Sequence, residues 1–349
     1  MSSGHQPAEA WPSGDLEELR HCPICGTAAR DAIHTGLVDR MAGAAPGDWS
    51  LWRCRACGTG YIDPRPTTGT IGRAYREYYT HTEPAPSRAR GARDLRTQVM
   101  HGYLNRRYGH HAQPASPLGA LVPLLPGGRA MAGQYVRELP PGNGRRVLDV
   151  GCGNGDFLVR IRDFGWEVAG QEVDESSAAF AHAAGIDVAV ADTLTMPYAA
   201  ESFDAITMNH VIEHLHDPVA VLGACLRMLR PGGTIWIATP NVDAALHREF
   251  GRRWAPLDPP RHLILFSRRS LAEAVTRTGF AELRSPPVAQ QALRWIAAKS
   301  QAMRMGADMD APVALPWRVR CAAILADLRA TVRREAAEEL VLVARRPAA

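Results

Sequence analysis

The sequence predicts an α/β fold with a mostly parallel sheet, helices on both sheet faces, and a small cysteine-rich module before it. From residue 146 onward, strand-like apolar runs alternate with amphipathic helix-like segments, which is typical of a doubly wound sheet. A glycine-rich stretch, VLDVGCGNGDF at 147–157, joins the first of these strands to the first helix. Two Cys-x-x-Cys pairs lie within residues 21–66, which predicts a metal-stabilised module.

The alternating pattern defines seven strands and at least four helices. The predicted strands are RRVLDVG (145–151), WEVAGQE (166–172), IDVAVAD (186–192), SFDAITMNH (202–210), TIWIATP (234–240), FAELRS (280–285) and EELVLVARR (338–346). The predicted helices are DFLVRIRDFG (156–165), DESSAAFAHAAG (174–185), DPVAVLGACLRMLRPGG (217–233) and SRRSLAEAVTRTGF (267–280). Asp or Ser at a start and Gly at an end are ordinary helix signals.

The composition limits the functional classes. Of 349 residues, 46% are hydrophobic and 22% are charged, which is ordinary for a globular protein. The net charge of +4 is too small to indicate a nucleic-acid partner by itself. Residues 1–20 lack the apolar core of a signal peptide, and no apolar run is long enough to span a membrane. We therefore expect a cytoplasmic protein.

The same reading divides the chain into four parts. We expect a disordered tail over 1–20, a zinc-ribbon module over 21–66, a helical linker or lid over 67–140, and a larger domain over 141–349. Residues 286–337 have helical spacing, and we expect them to form a helical insertion before the last strand. This insertion is either a lid or an oligomer surface.

The cysteine pairs indicate one tetrahedral metal site. Cys22 and Cys25 lie in HCPICG, and Cys54 and Cys57 lie in WRCRACG. Four thiolates around one ion are typical of Zn²⁺, and they leave no position for water, so a structural role is expected. An iron–sulfur cluster and two redox pairs are alternatives, although neither pair lies in a βαβ pattern.

The glycine loop has the context of a nucleotide site but not the usual dinucleotide spacing. Gly151 and Gly153 fit the G-x-G-x-x-G pattern, whereas Gly155 comes one residue early and precedes Asp156. A carboxylate there would repel a pyrophosphate, and Asp149 adds negative charge. This arrangement favours a ligand with a positive centre.

VLDVGCGNGDFL resembles motif I of the class I S-adenosylmethionine (SAM)-dependent methyltransferases, and the resemblance covers about residues 140–285 and the last strand. It implies a Rossmann-like seven-stranded sheet with SAM as cofactor. Glu172 sits where this family places an acidic residue on the ribose hydroxyls, and Asp192 sits where the family contacts the adenine edge. The expected SAM contacts are Asp149, Gly151, Gly153, Gly155, Glu172, Asp192 and Asn209.

The cysteine segment also resembles a known arrangement. C-x-x-C-G followed by WRCRACGTGYIDPRP and a tyrosine-rich helix is similar to N-terminal zinc-ribbon segments of methyltransferases in bacterial glycan and natural-product pathways. The resemblance implies O- or C-methylation of a small molecule, such as a sugar, a lipid-linked glycan or a specialised metabolite.

The acceptor is expected beyond the carboxyl ends of the fourth and fifth strands. An oxygen or carbon nucleophile usually needs a base. His262 is the first candidate for a base or substrate contact, followed by His214 and His210. The alternative is that these histidines only hold loops together. The long segment 240–267, which also contains Arg261, is expected to bind substrate because loops of this length are usually functional.

A basic segment at 88–111, RARGARDLRTQVMHGYLNRRYGHH, leaves the partner open. It could clamp a phosphorylated or nucleotide-linked small molecule, bind RNA, or form a solvated helix face. An RNA methyltransferase and a non-catalytic SAM-binding module are therefore the alternative functions. A nucleic-acid acceptor is the less favoured of these, because no Asn-Pro-Pro-Tyr-like string follows the fourth strand.

Overall fold

A computed structural model describes residues 11–41, 43–75, 94–125, 127–288, 292–309 and 312–348. The strands are β1 (Leu16–Glu17), β2 (Arg30–Leu37), β3 (Trp49–Cys54), β4 (Gly60–Ile62), β5 (Arg65–Pro66), β6 (Arg146–Val150), β7 (Glu167–Glu172), β8 (Asp187–Val190), β9 (Phe203–Asn209), β10 (Leu229–Pro240), β11 (Ile264–Leu265), β12 (Ala281–Arg284) and β13 (Glu339–Arg345).

The α-helices in the described ranges are α1 (Leu95–Tyr108), α2 (Gly128–Tyr135), α3 (Asp156–Arg162), α4 (Glu175–Ala183), α5 (Pro218–Met228), α6 (Ala245–Phe250), α7 (Arg268–Arg277), α8 (Ala297–Met305) and α9 (Trp317–Val332). Shorter 3₁₀ and π turns include Ile71–Tyr75, Pro117–Leu124, Ile212–His214, Ala255–Leu257 and Ala292–Ile296. None of the described helices combines the length and apolar character needed to cross a bilayer.

The central sheet has seven strands in the order β12-β13-β10-β9-β6-β7-β8. The neighbours from β10 to β8 pair in parallel, whereas β13 runs antiparallel to both β10 and β12. All seven predicted strands are present, so the predicted α/β class with a mostly parallel sheet is confirmed. The carboxyl ends of β6, β7, β8 and β9 lie along one edge of the sheet, where β6 stands between β9 and β7.

Polar caps at the helix starts explain why the predicted helices begin where they do. Asp174 accepts a hydrogen bond from the Ser177 amide at 2.7 Å at the start of α4, and Asp217 accepts one from the Ala220 amide at 2.9 Å at the start of α5. Each cap satisfies an amide that has no partner within its helix. The structure differs from the prediction at the Pro-Gly-Gly that follows α5. These three residues belong to the irregular start of β10 rather than to a turn that closes the helix.

The cysteine-rich segment is joined to the larger domain through a four-stranded sheet. Its order is β11-β4-β3-β2, and β11 comes from the long segment after β10. Ile264 pairs with Tyr61 and Leu265 with Gly60. The buried cysteines share one hydrophobic core with residues of the central sheet, such as Leu148. The small sheet is therefore continuous with the fold that carries the glycine loop.

Part of the expected disordered tail is ordered by this small sheet. Trp11 is buried and contacts Trp49 edge-on, with ring centroids 5.6 Å apart. β1 pairs with β5 in the antiparallel sense. The apolar Trp11 and the paired backbone explain why residues 11–20 differ from the expectation, whereas residues 1–10 lie outside the described part of the chain.

Helical segments precede and follow the strands of the central sheet in the sequence. α1 packs against the turn Pro117–Leu124 so closely that a Cβ at Gly102 would lie 1.9 Å from the Ser116 carbonyl oxygen. The region expected to form a helical insertion contains the π turn Ala292–Ile296, α8 and α9. Trp295 and Ile296 of the π turn line the large cavity described next.

Candidate active site

A cavity of about 1350 Å³ lies at the carboxyl edge of the central sheet. We call the part formed by Gly151, Gly153, Glu172 and Asp192 the glycine end. The part formed by His210, His214 and His262, together with the fully buried Glu213 that pairs with His210, is the histidine end. The strand order separates the two, because the glycine end follows β6, β7 and β8 whereas the histidine end follows β9. One cavity therefore joins most of the residues that the sequence singles out.

The three loop glycines have different structural roles. All three have left-handed backbones, with φ of +65° at Gly151, +53° at Gly153 and +79° at Gly155. A Cβ at Gly151 would lie 2.4 Å from a Val211 methyl, and one at Gly155 would lie 2.8 Å from Ala181 Cβ. A Cβ at Gly153 would meet nothing within 4 Å. Gly151 and Gly155 permit close packing, and Gly153 leaves the loop surface open.

Glu172 fixes the loop through its carboxylate. Its Oε2 accepts a hydrogen bond from the Gly153 amide at 2.8 Å, and its Oε1 accepts from the Val173 amide at 2.8 Å. The side chain is half-buried and lines the cavity. Each carboxylate oxygen has a second lone pair, so Glu172 can hold the loop and still accept from a hydroxyl in the cavity.

Gln171 is a loop-supporting residue that the sequence analysis did not identify. Its Oε1 accepts from the Gly151 amide at 3.2 Å, and its Nε2 donates to the Ala191 carbonyl at 2.6 Å. It is fully buried near the carboxyl end of β7. A glutamine within an otherwise apolar strand was the available signal, because a buried amide needs partners.

Asp192 and Asn209 also line the cavity. Asp192 Oδ1 accepts from the Leu194 amide at 2.8 Å, which fixes the turn after β8. Asn209 is the exposed last residue of β9. The structure therefore brings Gly151, Gly153, Glu172, Asp192 and Asn209 to one cavity.

Asp149 does not belong to this group. Its carboxylate is buried below the loop, forms an ion pair with Arg137, and accepts from Thr207 Oγ1 at 2.8 Å. Burial raises the pKa of Asp149 and lowers the pKa of Arg137, while their attraction opposes both shifts. The expected SAM contact at Asp149 is thus replaced by a supporting role, since Arg137 already occupies the carboxylate.

Gly155 also differs from the expected SAM contacts. It is the residue before α3 and packs on Ala181 rather than lining the cavity. Its left-handed φ lets the chain turn into the helix, so its role is to shape the loop.

His210 lies between two carboxylates. Its Nδ1 is 3.2 Å from Glu213 Oε1, and its Nε2 is 2.7 Å from Glu339 Oε1. Burial opposes the charge on His210, but the hydrogen bonds to these carboxylates outweigh it and raise the pKa to about 10. Both ring nitrogens must donate protons in this arrangement. His210 is therefore a cation at neutral pH, and it does not fit the expected role of a general base.

Glu213 is the buried anionic partner of this cation. Burial alone would raise its pKa, but the hydrogen bond from His210 and the neighbouring histidines lower it to about 2. Its Oε2 also accepts from Thr239 Oγ1 at 2.9 Å. The carboxylate thus stays ionised and fixed in orientation. Glu213 was not among the candidate catalytic or SAM-binding residues expected from the sequence.

His214 and His262 are neighbours, with ring centroids 4.7 Å apart. His214 Nδ1 donates to the Arg261 carbonyl at 3.0 Å and also lies 2.9 Å from the Tyr75 hydroxyl oxygen. His262 Nδ1 donates to the Pro256 carbonyl at 2.7 Å. Each Nε2 therefore carries the lone pair. Burial and the nearby His262 ring lower the pKa of His214 to about 4, so His214 is neutral at pH 7.

Arg261, in the segment expected to bind substrate, forms a buried ion-pair cluster instead. Its guanidinium is fully buried and lies 2.6 Å from Asp258 Oδ1. It also donates to Asp39 Oδ2 and to the Ala74 carbonyl, each at 2.9 Å. Asp39 and Ala74 belong to the N-terminal part of the chain. Arg261 thus joins the histidine end to that part, where it has no access to the cavity.

The four cysteines form a compact cluster. Sγ of Cys22 is 3.6 Å from Sγ of Cys57, and Sγ of Cys25 is 3.4 Å from that of Cys54. All four ligand atoms lie within 4.8 Å of one another. A tetrahedron with Zn–S bonds of about 2.3 Å has sulfurs about 3.8 Å apart. The cluster is therefore compatible with Zn²⁺, and its four thiolates would fill the coordination shell.

Within the expected basic clamp, residues 88–93 lie outside the described residues. The part that the structure describes forms most of α1, where His101 and Tyr103 are buried. Tyr108 donates to Glu138 at 3.1 Å. None of the described residues from 94 to 111 lines the large cavity. α1 therefore packs within the fold, and its visible contacts do not form a substrate clamp.

Comparisons with known proteins agree with the fold and the loop. The family described as "Methyltransferase domain" matches residues 127–284. The ubiquinone biosynthesis O-methyltransferase of Rhizobium etli is 30% identical over 185 residues, or 46% of this chain and 74% of that protein. The enzyme of the same name from Paracidovorax citrulli is 32% identical over 118 residues, or 32% of this chain and 50% of that protein. The chain spans about half the length of several such relatives.

A solved structure is also similar. A chain of the complex between the Haloferax volcanii Trm112 methyltransferase activator and the putative methyltransferase has a TM-score of 0.45 and 22% identity, over 62% of this chain and 88% of that chain. Together with the sheet order and the glycine loop, the sequence relatives identify the class of fold. The chain belongs to the class I SAM-dependent methyltransferases, and the resemblance found in the sequence is confirmed.

Proposed function

We propose that this chain transfers the methyl group of SAM to a hydroxyl of a small, non-phosphorylated molecule. The observation that carries the proposal is the single cavity that contains both the glycine end and the histidine end. A methyltransferase must hold donor and acceptor in one space, because the reaction is an in-line displacement whose rate depends on alignment.

The glycine end fits SAM as the methyl donor. Glu172 offers carboxylate lone pairs for ribose hydroxyls, and Asp192 offers an acceptor for the adenine amine. The open surface at Gly153 allows a ligand to approach the loop backbone. SAM supplies an electrophilic methyl group on a positively charged sulfur, and the carboxylates of the cavity favour that charge.

The cavity disfavours a phosphorylated acceptor. Among the described residues that line it there are several carboxylates, including Asp174, Asp217 and Glu339, but neither lysine nor arginine. A phosphate would therefore find no lysine or arginine there, and the cationic His210 is already paired with Glu213 and Glu339. Met41, Ile71 and Trp295 add apolar surface. We assign the acceptor as an uncharged molecule with an apolar part and a hydroxyl near the histidine end.

The histidine end is the part of the cavity that can handle the acceptor's proton. In the transfer, the acceptor oxygen forms the new bond to the methyl carbon while the carbon–sulfur bond breaks, and the hydroxyl proton leaves. His210 already carries a proton and is paired with two carboxylates. His214 and His262 are the imidazoles with Nε2 lone pairs. We therefore place the acceptor hydroxyl next to His262 and His214.

Labelled SAM offers the direct test. Purified protein would receive SAM with a labelled methyl group, together with a small-molecule extract or total RNA from the source organism. We expect label in a small molecule, whose mass spectrum identifies the acceptor. Label in RNA would overturn the small-molecule assignment, and SAM binding without any label would indicate a non-catalytic SAM-binding module.

His262→Ala separates the two ends in the same assay. The variant should keep its affinity for SAM within about threefold, because His262 lies at the other end of the cavity, but lose at least about 100-fold in turnover. His182→Ala is the control, since this histidine lies on α4 and bonds only to the Val188 carbonyl. Unchanged turnover in His262→Ala would exclude a role for this residue in the reaction.

A further inference from the structure

Three side chains at the histidine end converge on one point. Glu213, His214 and His262 each present one ligand atom, and these atoms lie within 4.8 Å of one another. Nε2 of His262 is 4.0 Å from Glu213 Oε1. Bonds of about 2.1 Å to a common ion would place such atoms roughly 3 to 3.5 Å apart. Binding of an ion would therefore require the three side chains to move closer together.

The outer hydrogen bonds of the cluster are those that orient metal ligands. His214 and His262 each donate their Nδ1 proton to a backbone carbonyl, which leaves Nε2 unprotonated. Glu213 Oε2 accepts from Thr239 Oγ1, and Oε1 accepts from His210 Nδ1 at 3.2 Å, so the carboxylate is held in orientation on both sides. Histidines that bind metals usually donate their other ring N–H in this way, and the bond fixes both tautomer and ring orientation. The three ligand atoms are therefore prepared for a cation.

The surroundings also favour a cation. Asp258 Oδ2 lies 4.0 Å from His262 Nε2 and adds negative charge. Among the described residues, the cavity wall has no guanidinium or ammonium group, and the charge of the cationic His210 is balanced by Glu213 and Glu339. His214 and His262 both line the cavity, so an ion held by them would be accessible from it.

We propose that Glu213, His214 and His262 bind one divalent transition-metal ion, such as Zn²⁺, Mn²⁺ or Fe²⁺. Two imidazoles and one carboxylate suit these ions and leave coordination positions open. The open positions face the cavity, in contrast to the four-cysteine cluster, which has none. The ion is thus a reactive site rather than a second structural centre.

The role of the ion rests on the function proposed above. An ion held by these residues would offer an open position to the oxygen of the acceptor hydroxyl and would lower the pKa of that hydroxyl, so that its proton could pass to water. The oxygen then forms the bond to the methyl carbon as the carbon–sulfur bond breaks. His262 is a ligand in this arrangement rather than the base.

Cobalt provides a probe that distinguishes the two clusters. Protein with zinc already bound to the four cysteines would be titrated with Co²⁺ at neutral pH, and the bound metal would be counted. We expect one Co²⁺ per chain beyond the zinc, with visible bands but without the thiolate-to-metal charge-transfer band of a cysteine site. His214→Ala and His262→Ala should each bind Co²⁺ at least about tenfold more weakly.

His216→Ala is the matched control for these variants. His216 lines the same cavity, but its Nε2 bonds to the Pro66 carbonyl and it lies outside the cluster. This variant should bind Co²⁺ as the unchanged protein does. Glu213→Gln serves where a histidine variant fails to fold, because it keeps the side-chain volume. An unchanged SAM affinity would show that each variant is folded.

Two results would overturn the metal site. One is the absence of Co²⁺ binding beyond the cysteine zinc, and the other is equal affinity in the unchanged protein, His262→Ala and Glu213→Gln. Methyl transfer is measured separately. Co²⁺ binding without methyl transfer would retain the site and reject the proposed function. Methyl transfer without Co²⁺ binding would retain the proposed function and reject the metal site. A turnover that rises at least about tenfold on metal addition would support the catalytic role.

Discussion

The glycine end and the histidine end of the cavity are built in different ways. The glycine end is formed mainly by one stretch of chain, from β6 to the turn after β8. Its hydrogen bonds join Gln171 and Glu172, at the end of β7, to amides of the glycine loop that follows β6. The histidine end combines residues from β9, the segment before β11 and the start of β13. It is held from outside by the N-terminal small sheet.

This difference implies different sensitivities to mutation. The conformation of the glycine end depends on backbone geometry and on short-range contacts. The histidine end depends on contacts between residues far apart in the sequence, such as the 2.9 Å hydrogen bond from the Ile62 amide to the Leu263 carbonyl next to His262. Variants that loosen the N-terminal attachment should therefore damage the histidine end first and leave SAM binding largely intact.

Arg261→Ala should have the largest effect. Removing the guanidinium leaves the carboxylates of Asp39 and Asp258 buried without this partner, and such losses cost about 3 to 5 kcal/mol. We expect the free energy of unfolding to fall by about 4 kcal/mol in urea titrations. At low temperature, the folded variant should bind SAM but lose turnover.

Arg269→Ala is the control for this variant. Arg269 is exposed on α7, so its removal should change the free energy of unfolding by less than about 0.5 kcal/mol. Equal stability of the two variants would contradict the idea that Arg261 fastens the histidine end. Loss of SAM affinity in Arg261→Ala at low temperature would contradict the independence of the two ends.

Gly151→Ala and Gly153→Ala form a matched pair at the glycine end. Both positions have a left-handed backbone, which costs a residue with a Cβ about 1 to 2 kcal/mol. Only the Cβ at Gly151 meets another atom, the Val211 methyl at 2.4 Å. We expect a loss of about 3 kcal/mol in stability for Gly151→Ala and about 1 kcal/mol for Gly153→Ala.

SAM affinity should separate this pair further. The new methyl at Gly153 projects into open space at the cavity, so it should weaken SAM binding more than its small effect on thermal stability suggests. Thermal unfolding and calorimetric SAM titration measure the two quantities. If Gly153→Ala bound SAM normally, the open surface at this glycine would not be the place where the ligand approaches.

Most of the fold and the glycine end could be predicted from the sequence because their signals are local. Alternating apolar runs indicate the seven strands, and glycine spacing indicates the loop next to Glu172. The pairing of β11 with β4 could not be predicted, because two-residue strands have no periodicity and their partner is about 200 residues away. The Nδ1 contact of His214 with the Arg261 carbonyl also joins residues far apart in the sequence, whereas the Nδ1 contact of His262 is with Pro256, six residues before it.

The sequence also could not show the partners of two charged residues, for a common reason. Asp149 was expected to contact SAM and Arg261 was expected in a substrate loop, but each is buried in an ion pair. The sequence of a motif does not show whether a charged side chain beside it contacts the ligand or forms a buried ion pair with another residue. The partner of Asp149, Arg137, lies in the helical region before the sheet, where no pattern marks it.

Glu338→Gln should change stability in a way that depends on pH. Glu338 lies in the cavity wall beside the histidine end and accepts from the Leu246 amide at 2.8 Å and Trp254 Nε1 at 3.0 Å. Burial raises its pKa from 4.5 to about 7. The folded chain thus holds this proton more tightly than the unfolded chain, so stability falls as the pH rises from about 4.5 to about 7. The contribution is constant above that range.

Glutamine does not titrate, so the variant should gain about 2 to 3 kcal/mol relative to the unchanged protein between pH 5 and pH 8. Urea titrations across this range measure the difference in unfolding free energy, which removes the other titrating groups from the comparison. Glu335→Gln is the control, because Glu335 is exposed and its substitution should give a flat difference. A flat difference for Glu338→Gln as well would mean that this carboxylate is ionised in the folded protein. Water would then reach the cavity wall beside the histidine end more than the burial of Glu338 indicates. That result would contradict the distinction between a glycine end that depends on backbone geometry and a histidine end that depends on buried charge.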